Sequence, residues 1–240
     1  MGNHVARDGN DVGSDENLLR IALKATSEAL HICDHGPMLN ERYIHHFMSH
    51  KLQEHLDLDC LKTMNGKPLL HPEWPTWKKS TGIKCGQYIG RKEDGTKEYH
   101  PVSPPQGSAG FIDFALGDYG HPSVAIEVTL KDSWQHEEIV YDLVKLLDGR
   151  NRAFNAVISC NVIRRENGLP TAGGRVKVHS RMNEAYAEAK MRLGEMFCND
   201  GRRQFFIITE IAGDQRRHWC FDKDTEEFHD RAQLDEVLLS

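Results

Sequence analysis

The chain has 240 residues, 39% hydrophobic and 28% charged, an ordinary globular composition that the usual domain length reads as about 1.6 domains. No run approaches the roughly 20 apolar residues that cross a bilayer, which excludes a membrane-spanning helix. Thirty Lys and Arg against thirty-six Asp and Glu give a formal net charge of −6, which excludes a wholly basic protein that coats nucleic acid.

Residues 1–13 are polar and glycine-containing, cannot offset their ordering entropy by burial, and are expected to form a flexible leader to a single domain over 14–240. Ser14, Asp15 and Glu16 mark a helix start, and Leu18, Leu19, Ala22, Ala25, Ala29 and Leu30 keep helical spacing to about Cys33. After Gly36-Pro37, Asn40 caps a second predicted helix with the stripe Ile44, Phe47, Met48, Leu52 and Leu56. Glu41 falls on the line of that stripe, an unusual place for an acid. Residues 60–109 crowd six prolines among lysines and glycines, which predicts long loops with at most short strands.

Phe111 to Leu116 and Val124 to Lys131, connected through Gly117-Asp118-Tyr119-Gly120, read as a β-hairpin. A helix from about Trp134 to Leu147 follows, then a strand from Phe154 to Ile163, a helix from Met182 to Phe197 and a strand from Gln204 to Ile211. His218 to Phe221 suggests a last strand, and Asp230 the cap of a short closing helix. This order implies an α/β fold, a central mixed β-sheet flanked by helices, with an N-terminal helical extension. Six cysteines lie far apart with no C-x-x-C pair, and no apolar signal segment leads the chain, so reduced thiols and a cytoplasmic location are expected. Ala6 stands where a myristoylation signal has Ser or Thr, so no lipid anchor is expected.

The hairpin carries the chemistry. Alternation sets Val124, Ile126, Val128 and Leu130 on one face of its second arm, and Ala125, Glu127, Thr129 and Lys131 on the other. Asp113 lies mid-strand in the first arm, where acids are depleted, and a hairpin brings it beside Glu127. Adjacent carboxylates repel unless something positive lies between them. Mg²⁺, with Mn²⁺ as its substitute, asks for only one or two carboxylates besides water and phosphate oxygens, and a lysine on the same face would orient or help deprotonate a bound water. The constellation predicts a phosphodiesterase.

At these residues, over roughly 40–211, the chain resembles the PD-(D/E)xK nuclease superfamily. The resemblance implies a restriction endonuclease-like core and a Mg²⁺-dependent endonuclease hydrolysing DNA, of a restriction, defence or mobile-element kind. It implies that Asp113 and Glu127 hold the metal and that Glu41, from the preceding helix, completes the site. The run Asp142-Leu-Val-Lys-Leu146 stands where that family's D-L-x-K-L-like run does. Ile112 replaces the motif proline, and Thr129 occupies the usual lysine position. Lys131, about 6 to 7 Å further along the strand, is the first candidate replacement. Lys145 is the second, because members of the superfamily can supply the lysine from the following helix. If neither reaches the metal, the alternative is a catalytically inactive nuclease-fold subunit for nucleic-acid binding or assembly. The resemblance also carries a habit of homodimers. Gln135 and Tyr141 are six apart, where the Q-x-x-x-Y element of exonuclease-like members has four.

Plain structural readings stand beside these. Asp113 is a strand-end acid capping the turn, Glu127 a solvated residue on an amphipathic strand, Glu41 a first-turn acid favoured by the helix dipole, and Lys145 a helix-surface partner of Tyr141 or Asp142. His45, His46, His50 and His55 share one helix without the glutamate of a zincin, so surface or structural histidines are expected. For DNA, the predicted loops offer Lys78 and Lys79 near Trp74 and Trp77, then Arg164, Arg165, Arg175, Lys177 and Arg181 in a stretch whose only acid is Glu166.

Overall fold

The two N-terminal apolar stripes form helices α1 (Asp15–Ile32) and α2 (Glu41–Leu58) in the computed structural model. Residues 15–32, 40–58, 67–76, 88–91, 93, 97–99, 110–151, 154–164, 174–197, 202–212, 215–223 and 227–229 are the described part of the chain. Asn40 caps α2, its Oδ1 accepting the Tyr43 N–H at 2.8 Å. Asp15 accepts from Ser123 and Asn155 and so fastens the first turn of α1 to the sheet.

The short strands of the proline-rich stretch are β1 (Leu70–Pro75), β2 (Tyr88–Arg91) and β3 (Lys97–Tyr99), of which β2 and β3 pair with each other. The hairpin arms are β4 (Phe111–Asp118) and β5 (His121–Lys131). Strands β6 (Ala156–Arg164), β7 (Arg203–Ala212), β8 (Gln215–Asp222) and β9 (Glu227–His229) complete a seven-stranded mixed sheet in the order β1-β4-β5-β6-β7-β8-β9. Strands β5, β6 and β7 are parallel and are joined by helices α3 (His136–Leu147) and α4 (Gly174–Leu193); the pairs outside them are antiparallel.

Alternation along β5 sorts two apolar clusters onto opposite faces of the sheet. Val124, Ile126, Val128 and Leu130 pack with α1 and α2, while Ala125 packs with Ile139, Val140, Leu143 and Leu147 of α3 and with Met182 and Ala185 of α4. Burying each large aliphatic side chain contributes about 1.5–3 kcal/mol. Helices α1 and α2 are thus one of two covering layers, and the N-terminal helix α1 packs onto the sheet beside α2. Without them one apolar face of β4 and β5 would meet water.

Two boundaries also move. The hairpin turn is tighter than expected, since β4 runs to Asp118 and β5 begins at His121. The cause is a bulge at Gly117, where φ is 123° and a Cβ would meet Ser123 N at 2.8 Å. Helix α4 begins at Gly174 rather than Met182, because Val178 extends the buried stripe of Met182, Ala185, Ala189 and Leu193. Arg175, Lys177 and Arg181 therefore lie on a helix and not in the predicted loop. The expected leader, the closing helix at Asp230, and Lys78, Lys79 and Arg165 fall outside the described residues. Among the described residues no helix is long and apolar enough to cross a membrane.

Candidate active site

The hairpin opens into a fork. Among the described residues the β4–β5 ladder ends at the Phe114–Ile126 pair; beyond it β4 stays with β1, and β5 continues to Lys131 with one edge left open. Backbone groups on such an edge need partners. Side chains supply them here. Asp113 Oδ2 accepts the Val128 N–H at 2.7 Å, His45 Nε2 lies 3.2 Å from the Val128 oxygen, and Glu41 Oε2 accepts the Leu130 N–H at 3.2 Å. Glu41 is exposed at the surface end of this row, with its oxygen committed to the backbone of β5.

Glu127 faces α3, and the charge of Asp113 acts on it. It is 3% exposed, so the solvated reading of this residue does not hold. Lys145 Nζ lies 2.6 Å from Glu127 Oε2, 3.0 Å from Asp142 Oδ1 and 3.3 Å from the Phe111 carbonyl oxygen, with the Tyr141 ring centre 5.2 Å away. An ammonium has three N–H donors; two of them go to Glu127 and the Phe111 carbonyl, and Asp142 adds an ion pair. Asp142 in turn accepts from Thr129 Oγ1 at 2.7 Å. Glu127 Oε1 is buried with no hydrogen-bond partner among the described residues.

The electrostatics follow from three carboxylates around one ammonium. Burial pushes the Glu127 carboxyl well above its ordinary range; Lys145 opposes this, and Asp113 and Asp142 add to it. Burial also raises Asp113, against the pull of His45 and of the Val128 N–H. For Lys145 burial works against the charge, but Glu127 and then Asp142 outweigh it and raise its pKa above the ordinary lysine value. The lysine is held charged, and Glu127 and Asp113 keep their protons to higher pH than free acids would.

Lys131, the first candidate, forms an ion pair with Glu138 of α3, whereas Lys145, the second, reaches Glu127. Strand alternation set Lys131 on the correct face but said nothing of the helix acid that meets it. Two neighbours of the site escaped the sequence reading of roles. His45 had a signal in its spacing, since it lies one helical turn beyond Glu41 on α2, and Asp142 had one three residues before Lys145. The other helix histidines have ordinary settings: His46 and His50 are exposed, and His55 meets Glu28 at 3.2 Å.

The basic residues gather at one end of the sheet. Arg164, at the end of β6, lies 3.5 Å from Asp132 just past β5, Arg181 rests 5.5 Å from the Trp134 ring centre, and Lys177 is exposed. Among the described residues no group of three or more His, Cys, Asp and Glu side chains is gathered tightly enough to hold a metal ion by itself. No protein-family model, curated protein or solved structure matches the chain.

Proposed function

We propose that the chain is a Mg²⁺-dependent endonuclease that hydrolyses DNA phosphodiester bonds on a restriction endonuclease-like core, with Asp113 and Glu127 as the metal-holding acids and Lys145 as the motif lysine, supplied from α3. The observation that carries the reading is the Lys145 ammonium 2.6 Å from Glu127 Oε2 although Thr129 occupies the strand position of that lysine. Stability gives no reason for such a pair. Replacing a buried ion pair by apolar residues of similar volume is often neutral or stabilising by about 1–4 kcal/mol. The run of hairpin β4–β5, helix α3, strand β6, helix α4 and strand β7, the order expected with the resembled family, also supports the reading.

The donor set fits Mg²⁺, which needs one or two carboxylates and fills its remaining positions with water and phosphate oxygens. Glu127 Oε1 is a buried oxygen in want of a partner, and Asp113 is the neighbouring charge that helps to raise Glu127. When bound, the metal would neutralise the paired acids and stabilise the charge that develops on an attacked phosphate. Lys145, held charged, donates to the attacking water or to a phosphate oxygen and does not act as a base. Asp142 fixes the lysine's direction and ties it to Thr129. Glu41 supports the fork through Leu130. Arg164, Lys177 and Arg181 are the phosphate contacts of the DNA path.

The test is plasmid DNA incubated with Mg²⁺ or Mn²⁺, wild type beside Asp113→Ala, Glu127→Ala and Lys145→Ala. Cutting by wild type and its loss in all three variants is the expected result. Cutting that survives the two acid substitutions removes the site assignment. DNA binding without cutting under any condition assigns the inactive binding subunit instead.

A further inference from the structure

We propose that His45 is a positioning residue for Asp113, holding the fork between β4 and β5 at the width in which that carboxylate serves the site. The inference rests on the reading of Asp113 as a metal-holding acid. It deepens that reading by giving α2 a positioning residue for Asp113, where the resemblance pointed to Glu41 of the same helix as a metal ligand.

In a regular antiparallel pair one residue exchanges both its N–H and its C=O with a partner strand. Val128 has lost that partner, and two side chains take its place: Asp113 accepts from its N–H at 2.7 Å, and His45 Nε2 approaches its oxygen at 3.2 Å. A carbonyl oxygen only accepts, so Nε2 carries the hydrogen. The same Nε2 is 3.7 Å from Asp113 Oδ2, so the imidazole closes a circuit of helix, strand peptide and carboxylate. Its orientation is set from behind, where the ring leans on Phe114 at 5.7 Å between centres and 55° between planes. Phe114 belongs to the last β4–β5 pair before the strands part. His45 thus packs on the hinge of the fork and bonds to its open edge. Glu41, one turn earlier, meets the same edge further out, at Leu130.

Groups that orient a metal-binding carboxylate typically govern affinity by about 10–100-fold. The experiment measures Mn²⁺ binding by calorimetry, with plasmid cutting in parallel, for wild type, Asp113→Ala, His45→Phe and His45→Gln, each checked for folding by its thermal transition. His45→Phe keeps a ring against Phe114 and removes the donor, and is expected to weaken Mn²⁺ binding by about tenfold or more. His45→Gln restores an N–H at similar reach and is expected to recover most of the loss, which space-filling alone would not produce. Should His45→Phe fail to fold, His45→Met carries the same comparison. Wild-type Mn²⁺ affinity in the variant without the donor, with affinity lost in Asp113→Ala, overturns the role of His45 and leaves the metal site standing. Equal affinity in wild type and Asp113→Ala overturns the metal site, and the role of His45 with it.

Discussion

Lys145 Nζ stands 2.6 Å from Glu127 Oε2 and 3.0 Å from Asp142 Oδ1, so one ammonium from α3 joins a strand carboxylate to a helix carboxylate where all three residues are buried. Removing one member of such a pair leaves an uncompensated charge. Lys145→Met is therefore expected to destabilise the fold by about 3–5 kcal/mol in urea unfolding. Lys145→Met combined with Glu127→Leu removes the stranded acid as well and is expected to recover much of that loss. A single variant as stable as wild type would mean that Glu127 carries no charge in the folded chain.

The raised carboxyl groups give stability a definite slope with pH. Burial, the largest cause for both, makes Glu127 and Asp113 release their protons at higher pH when folded than when unfolded. Over that window the folded state binds more protons than the unfolded state, so unfolding free energy falls as pH rises. The contribution is fully present below the unfolded carboxyl range, about 4, and is lost as pH climbs through the raised folded-state values. Comparing wild type with Glu127→Gln and Asp113→Asn isolates these two groups from the other acids, and the variants are expected to show the shallower decline. A steeper decline in the variants than in wild type would reverse the sign of the assignment. If the same carboxylates hold a metal as proposed, the metal must displace those protons, and Mn²⁺ affinity should climb with pH across the same interval.

Thr129 tests whether the lysine can be moved. Its Oγ1 donates to Asp142 Oδ2 at 2.7 Å in a buried setting, and Thr129→Val is expected to cost about 1–3 kcal/mol by leaving that acceptor short of a donor. Glu127 and Thr129 share a face of β5, so a lysine at 129 would stand one alternation from the acid. In a Lys145→Met background, Thr129→Lys returns an ammonium to the site from the strand, and that double variant is expected to cut plasmid DNA faster than Lys145→Met alone. Equal rates would sink the idea that Lys145 serves as the displaced motif lysine.

The parts of this fold legible in sequence are those written in local periodicity. The stripe of Ile44, Met48, Leu52 and Leu56, the alternation from Val124 to Leu130 and the apolar side of α3 all bury where their spacing said they would. Asn40 acts as the cap its residue type predicts. The contacts that decided the candidate site were of another kind. Lys131 was lost to Glu138, Lys145 was gained by Glu127, and His45 came to Val128 across 83 positions of sequence. Each depends on how far α2 or α3 lies from β5, a distance set by the packing of many side chains that no spacing rule contains. Helix α4 erred for a simpler reason, since Gly174 and the basic residues after it resemble a loop until Val178 is counted into the buried stripe.

The last prediction concerns the basic end of the sheet. Arg164 meets Asp132 at 3.5 Å with the aspartate 84% exposed, and an open pair of this kind contributes only about 0–1 kcal/mol, so the guanidinium is readily surrendered to a phosphate. Lys177 is exposed on α4, and Arg181 lies over Trp134. If these residues line the DNA path, Arg164→Ala and Lys177→Ala should each weaken duplexes of unrelated sequence alike. Each should also reduce the slope of log K against log salt by about 1 in anisotropy titrations, because each phosphate contact releases counterions. Arg181→Lys keeps the charge but loses the planar stacking on indole, so it should preserve the slope while lowering affinity. Slopes unchanged by both alanine substitutions would detach this end of the sheet from DNA, and the phosphate path would have to be sought elsewhere on the chain.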